Sequence, residues 1–239
     1  MTRNVWALTQ RELMSSFFSP VAYIVAAMFL IATGYLFMNN TLVEGSEASI
    51  RALLDSMAWV LIFAIPLLTM RVLADEYTSG TIEALMTAPV TDIEVVLGKF
   101  LGVLLFYLSL LVTTLVHVML LVKYGGSDVP AMLYGYVGMI LLGAMYVAVG
   151  VFASSLTKHQ LVAALIGMGV LSIFSLVVDA FAAWKGGMWR NILGYVNIFH
   201  HFEDFSKGIV DTKAIIFFIS GTIFFLFLAV KTLESRRWR

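Results

Sequence analysis

Charged residues divide this chain into long apolar runs. The first extends from Val21 to Met38, the second lies between Asp55 and Arg71, and the third between Lys99 and Lys123. Three more lie between Asp128 and Lys158, between Lys158 and Asp179, and between Lys213 and Lys231. A helix needs about 20 mostly apolar residues to cross a bilayer. The pattern therefore predicts six spanning helices, at about 20–38, 54–73, 97–122, 130–155, 159–179 and 213–232, with both termini on one side. The second span is the shortest, because only 15 uncharged residues separate Asp55 from Arg71. It reaches across if those two residues sit at opposite interfaces and Arg71 snorkels. Pro66 within it predicts a kink.

The segments between the runs carry patterns of their own. Over residues 2–19, Trp6, Leu13 and Phe17 share one helical face, while Asn4, Arg11 and Ser15 share the opposite one. That arrangement predicts a helix lying in the membrane interface. From Arg71 to Lys99 the chain is polar and long for a connector. Asp75-Glu76 comes first, then the turn residues Thr78-Ser79-Gly80, then a short helical pattern with Ile82, Leu85 and Met86 on one face and Glu83 off it. Pro89 ends that pattern. Thr91 with Glu94 forms a capping box that starts the helix of the third span. The segment from Asp179 to Lys213 is rich in aromatics, among them Trp184, Trp189, Tyr195, Phe199, Phe202 and Phe205. It predicts short helices packed at the other interface, separated by Gly186-Gly187 and Gly208. Within the fourth and fifth spans, Ala144 with Ala148, Gly150 with Ser154, and Ala163 with Gly167 have the spacing that lets helices approach closely.

Composition fixes the fold class. Of 239 residues, 61% are hydrophobic and 13% charged, and the mean hydropathy is +0.94. A water-soluble domain of this length cannot hide so much apolar surface. The expected fold is an all-α integral membrane protein, with residues 1–239 as one domain. Net charge is zero, which leaves no electrostatic footprint for nucleic acid. Without cysteine there is no disulfide framework and no thiolate metal site. Arg3, Arg11 and Glu12 break up the N-terminus, unlike a cleaved signal peptide. With both termini inside, nine basic residues fall on inner segments and six on outer ones, in line with the positive-inside rule. The ending Arg236-Arg237-Trp238-Arg239 adds basic charge and an indole where anionic headgroups would lie.

Candidate chemistry is sparse. Gly98-Lys99 lacks the upstream glycine and the following Ser or Thr of a phosphate-binding loop, so any ATP that drives this protein is expected to bind another chain or domain. Zinc-helix and nucleophile-elbow motifs are also missing, and no catalytic residue is expected. His200, His201, Glu203 and Asp204 have metal-ligand side chains, but a polar stretch before the last span explains them equally well, and no metal is expected. His117 is the ionisable residue well inside a span, and such a group is a functional candidate by default. The six span interiors otherwise lack Asp and Glu. Ion-coupled carriers usually place acids at mid-membrane, so the energy source is expected outside the membrane.

The whole chain resembles ABC-2 type permeases, and most closely the gliding-motility-associated branch. Residues 75–99, DEYTSGTIEALMTAPVTDIEVVLGK, are similar to the family's acidic pair, Gly-Thr-hydrophobic-Glu helix, Thr-x-Pro-Val and later Gly-Lys. Residues 201–211, HFEDFSKGIVD, resemble that branch's segment before the last span, and Arg236-Arg237-Trp238 its ending. The resemblance implies an interfacial elbow helix at the N-terminus, with Trp6 and Arg11 as anchors alongside Arg236, Arg237 and Trp238. It also implies a cytoplasmic coupling helix at about 80–88 docked in a groove of an ATPase, and short extracytoplasmic helices before the last span. Contact with that ATPase would involve Asp75, Glu76, Gly80, Thr81, Ile82, Glu83, Leu85, Met86 and Pro89. Tyr77-Thr78-Ser79 stand where many relatives have basic residues, which shifts the expected contact towards Ile82, Leu85 and Met86 plus the acidic side chains.

The further implications are a second permease protomer, two ATPase subunits that bind ATP and Mg, and an accessory envelope subunit with a large extracytoplasmic domain. The location implied is the bacterial inner membrane with both termini cytoplasmic, and the work implied is export or another envelope-directed task. His117, His201 and Phe202 are candidates for a pathway or an extracytoplasmic role. The competing reading is a membrane anchor or scaffold for an ATP-driven envelope complex that moves no substrate. An intramembrane enzyme is disfavoured, because no nucleophile–base pair is visible inside the spans.

Overall fold

The computed structural model describes residues 2–41, 50–81, 90–124, 129–185 and 195–237. Among them every regular element is helical: α1 (Thr2–Phe17), α2 (Pro20–Asn40), α3 (Ile50–Thr69), α4 (Ala74–Ser79), α5 (Asp92–Tyr124), α6 (Val129–Leu156), α7 (Gln160–Ser172), α8 (Val178–Lys185), α9 (Ile198–Ser206) and α10 (Thr212–Arg237). One π turn, Ile173–Val177, joins α7 to α8, and the Val178 N–H reaches back to the Ile173 carbonyl. Six helices are long and apolar enough to span a membrane. They match the six expected runs, and the termini emerge at the same end of the bundle.

The bundle has a protein-covered centre and a lipid-facing rim. The apolar windows of α3, α5 and α6 are 67%, 61% and 72% buried, against 28% for α2, α7 and α10. Helix α6 is central and packs against α3, α5, α7, α9 and α10. Its core includes Tyr107, Met139, Leu142 and Tyr146, all fully buried, and the Tyr107 hydroxyl donates to the Met139 carbonyl at 2.8 Å. Large side chains such as Ile31, Tyr35, Leu161, Leu165, Ile216 and Ile223 point outward instead. Helices that satisfy their own backbone can present such faces to lipid.

The second span is longer than its uncharged stretch suggests. Helix α3 begins at Ile50, so it has 20 residues, or about 30 Å. Arg51 and Asp55 lie one turn apart inside its first half, 3.7 Å from each other. Because protein covers most of α3, its outer turns can carry charge without meeting lipid.

Pro66 acts three residues before the helix ends. Having no N–H, it leaves the Ile62 carbonyl without its usual donor. Helix α3 stops at Thr69, a turn follows, and α4 starts at Ala74. Ser154 of α6 holds this break. Its hydroxyl donates to the Met70 carbonyl at 3.0 Å and accepts from the Leu73 and Ala74 N–H groups at 3.0 and 3.1 Å. One turn away, Gly150 lets the Thr69 side chain press onto the α6 backbone where a Cβ would collide with it. The expected small-residue pair Gly150 and Ser154 thus marks a close crossing with the end of α3. Ala163 and Gly167 serve the next one, with Gly167 against Pro66.

Ser154→Ala would leave two buried N–H groups and a carbonyl without partners. The expected loss is about 1–3 kcal/mol, read as a lower thermal midpoint of the purified protein in detergent. Ser154→Thr keeps the hydroxyl but adds a methyl at the tight crossing and should recover only part of it.

Candidate functional site

The end of the bundle that holds both termini is organised around one buried ammonium. Lys99 lies two turns into α5, with its side chain 6% exposed. Its Nζ donates to Glu12 of α1 at 3.1 Å and to the Val72 carbonyl at 2.6 Å, and it forms an ion pair with Glu76 of α4 at 3.0 Å. The side chains of Glu12 and Glu76 are only 16% and 12% exposed. Two carboxylates therefore share one cation in a largely water-free site.

Helix α1 is brought to Lys99 by shape. It runs alongside the first turns of α5, from Asn4 near Glu94 to Phe17 edge-on to Phe106 at 5.1 Å. A Cβ on Gly98 would lie 2.5 Å from Leu8 Cβ, and one on Gly102 would lie 2.6 Å from Glu12 Cβ. The docked face of α1 is thus Val5, Leu8, Thr9 and Glu12, between the two faces that the sequence pattern sets apart. Trp6 and Arg11 stay exposed. Helix α5 has 33 residues, about 50 Å against a hydrocarbon core of about 30 Å. The length left over accommodates the part that α1 flanks.

Helix α4 is fastened on its other sides too. Asp75 accepts from Arg71 Nε at 2.9 Å and from the Gln160 side chain at the start of α7. Arg71 also donates to Ser19 Oγ at 2.9 Å. The Thr78 hydroxyl donates to the Lys158 carbonyl at 2.7 Å. Arg236, near the end of α10, lies 4.4 Å over the Tyr77 ring and donates to the Leu156 carbonyl. The helix ends at Gly80, whose φ of 71° is the left-handed conformation that glycine adopts without a Cβ clash. The sequence pattern puts the turn at Thr78-Ser79-Gly80. In the structure the helix continues through Ser79, because Thr78 and Ser79 return hydrogen bonds to the Ala74 and Asp75 carbonyls.

Beyond Gly80, Thr81 is exposed, while Ile82, Glu83, Leu85, Met86 and Pro89 lie outside the described residues. So do Trp238 and the side chain of Arg237. The chain returns at the capping box: the Thr91 N–H donates to Glu94 at 2.9 Å, and the Glu94 N–H donates back to Thr91 Oγ1 at 3.3 Å. Of the residues expected to meet an ATPase, Asp75 and Glu76 are engaged within the chain, and Gly80 and Thr81 lie at the surface.

At the opposite end α9 folds onto the bundle. Asn197 caps it, accepting from the His200 N–H at 3.0 Å, and its amide donates to the Ser175 carbonyl in the π turn at 3.3 Å. Phe202 and Phe205 are fully buried against Gly138 of α6. His201 stacks on Phe217 at 4.2 Å, and its Nε2 lies 3.0 Å from the Tyr195 carbonyl. Glu203 joins α9 to α3 through Arg51 at 2.6 Å and also meets Lys207 at 2.8 Å. The Lys207 bond is the main reason its carboxyl sits below the ordinary range, with Arg51 and His200 adding to it and burial opposing it. Among the described residues no three His, Asp or Glu converge as metal ligands. A cleft of about 550 Å³ opens here beside Trp59 and Phe199, whose rings pack at 5.0 Å. His117 is remote from it, packed against Phe37 and Gly34 with Nδ1 near the Thr114 carbonyl at 3.3 Å.

The structure therefore separates His117 from His201 and Phe202, and joins the acidic pair Asp75-Glu76 to a hub at Lys99; both ends lie within residues 75–99, but Glu12, the third member, lies outside them. The sequence signals for that hub are Lys99, a cation at the edge of a long apolar run, and the acidic pair upstream. The spacing of Gly150 and Ser154 signals the close crossing but not the hydrogen bonds that Ser154 makes, and the Tyr77–Arg236 contact carries no local signal.

Compared with known proteins, residues 7–233 match the family model described as ABC-2 family transporter protein. No curated protein matches the chain.

Lys99→Met would leave two buried carboxylates facing each other, and breaking such a site costs about 3–5 kcal/mol. Thermal unfolding in detergent should show the loss. The triple variant Lys99→Met, Glu12→Gln, Glu76→Gln should regain most of it, since an uncharged site has no unpaired charge. At the far end, Glu203 titrates lower in the folded chain. Its stabilising contribution is complete above the ordinary carboxyl value of 4.5 and is lost as pH falls through the lowered value. Acidification through that window should speed hydrogen exchange in α9, and Glu203→Gln should remove the dependence.

Proposed function

The chain belongs to the ABC-2 family of transporter proteins, and from that premise we propose that it couples ATP hydrolysis by a separate ATPase subunit to export. It is a multi-pass membrane protein and a permease subunit of an ABC transporter. On our reading both termini face the cytoplasm of a bacterium, across the inner membrane. The resemblance to the gliding-motility-associated branch adds a second permease protomer and an accessory envelope subunit as partners.

The observation that carries this reading is the fastening of α4. It leads directly into the stretch at about 80–88 where the resemblance implies the coupling helix. It is bonded to α1 and α5 through Glu76 and Lys99, to α7 through Asp75 and Gln160, and to α10 through Tyr77 and Arg236. The capping box at Thr91 and Glu94 anchors the return of the same segment onto α5. A force applied to residues 82–89 would be shared by five helices. ATP bound by the partner, with its Mg, would close an ATPase dimer and press on this segment in each protomer. That shifts the permease only if the closed dimer binds one conformation better than the other.

The contact itself rests on Ile82, Leu85 and Met86, with Glu83 and the exposed Gly80 and Thr81 beside them. A buried hot-spot side chain in such a contact contributes about 2 kcal/mol or more. Leu85→Asp should cut co-purification of the ATPase from native membranes roughly thirtyfold while leaving the thermal midpoint of the permease unchanged. Normal recovery of ATPase with Leu85→Asp, and no crosslink to it from any position in 82–89, would refute the assignment. A continuous mid-membrane passage between protomers favours export, and a sealed dry interface favours an anchoring role.

A further inference from the structure

A cleft of about 300 Å³ opens between α1, the start of α2, the end of α3, α4 and α5. We propose that it holds the headgroup of a phospholipid bearing a primary amine, drawn from the leaflet at the α4 end of the bundle.

The deep wall of the cleft is short of one cation. Among the described residues, Lys99 is the one cation paired with both Glu12 and Glu76, and it also donates to the Val72 carbonyl. Glu76 Oε2 is buried and has no hydrogen-bond partner. A buried carboxylate oxygen left in this state costs free energy until a donor reaches it. A primary ammonium supplies both the missing charge and N–H groups.

The outer wall has the opposite character. Arg11 is exposed at the rim, with the hydroxyls of Ser15 and Ser16 on the same stretch of α1. These groups suit a phosphate. Arg71 is less free to join them, because it is engaged by Asp75 and Ser19. Counting all the charged lining, Arg11, Arg71 and Lys99 balance Glu12, Asp75 and Glu76. A zwitterion fits that balance with its two ends matched, whereas a headgroup of net negative charge does not.

The floor is apolar, lined by Val21, Ala22, Leu68 and Phe106, so the part of an acyl chain next to the headgroup would meet apolar side chains. Phe18 at the corner between α1 and α2 is 84% exposed, as an aromatic seated among lipid headgroups would be.

The inference needs only a membrane-spanning chain and does not depend on the ATPase contact. It is tested with the full chain purified in mild detergent and offered equal amounts of phosphatidylethanolamine, phosphatidylcholine and phosphatidylglycerol with identical acyl chains. Native mass spectrometry then counts what stays bound. The ethanolamine lipid should be retained about tenfold over the choline lipid, which has the same charge but no N–H donor. It should also be retained over the glycerol lipid, and Glu76→Gln should erase the preference. Equal retention of all three by the unaltered chain overturns the proposal, and so does an unchanged preference in Glu76→Gln. If Glu76→Gln does not fold, the ethanolamine-to-choline ratio of the unaltered chain decides, with Ser15→Ala/Ser16→Ala as the second variant, expected to weaken retention of every phospholipid. A crosslink showing that a basic side chain of a partner protein fills the cleft also overturns it.

Discussion

One ammonium group holds the cytoplasmic half of this structure together, on the orientation proposed above. Lys99 is buried where α1, the turn after α3, α4 and α5 meet, and its ammonium reaches Glu12, Glu76 and the Val72 carbonyl on different pieces of chain. In a low-dielectric setting such bonds are strong, and leaving any of them unmade is expensive. The site is therefore an all-or-none device. With it intact, the elbow helix and the segment leading to residues 82–89 belong to one body with α5. With it broken, two carboxylates repel each other in a place water barely reaches.

The rest of the junction makes sense around that hub. Pro66 and Ser154 end α3 at a defined place, which sets α4 at the depth of Lys99. Gly98 and Gly102 set the depth of α1 from the other side. Gln160, Lys158 and Arg236 then tie α4 to the α6–α7 turn and the last helix. A family of transporters that takes its energy from a soluble partner needs some such body at the membrane edge. A loosely held α4 would absorb a push by moving alone.

The spans were legible because their signal is long and repeated: each is an apolar run cut by charge, and the structure finds a helix in each. The capping box at Thr91 and Glu94 was legible because both partners lie within one turn. Glu76 was not, since its partner lies 23 residues on, and nothing in a stretch reading DEYTSG says whether an acid turns inward or out. Helix α3 also starts at Ile50, before the expected span start at about 54. Arg51 and Asp55 look like the end of a span, and the helix carries them in its first turns, where Arg51 pairs with Glu203 of α9. The docked face of α1 escaped the wheel because it is set by notches on α5 rather than by hydrophobicity. Residue-by-residue polarity reads what faces lipid. It does not read which polar groups find each other across helices.

The two notches also constrain how α1 can move. Leu8 sits over Gly98 and Glu12 over Gly102, each pair four residues apart along its own helix. A small slide of α1 along α5 would drive Leu8 into the side chains between the glycines. A slide of about 6 Å would seat Leu8 over Gly102, but only after Glu12 had let go of Lys99. Displacement of the elbow along this track is therefore a detent-like jump, of the one-turn kind by which packed helices switch between discrete registers.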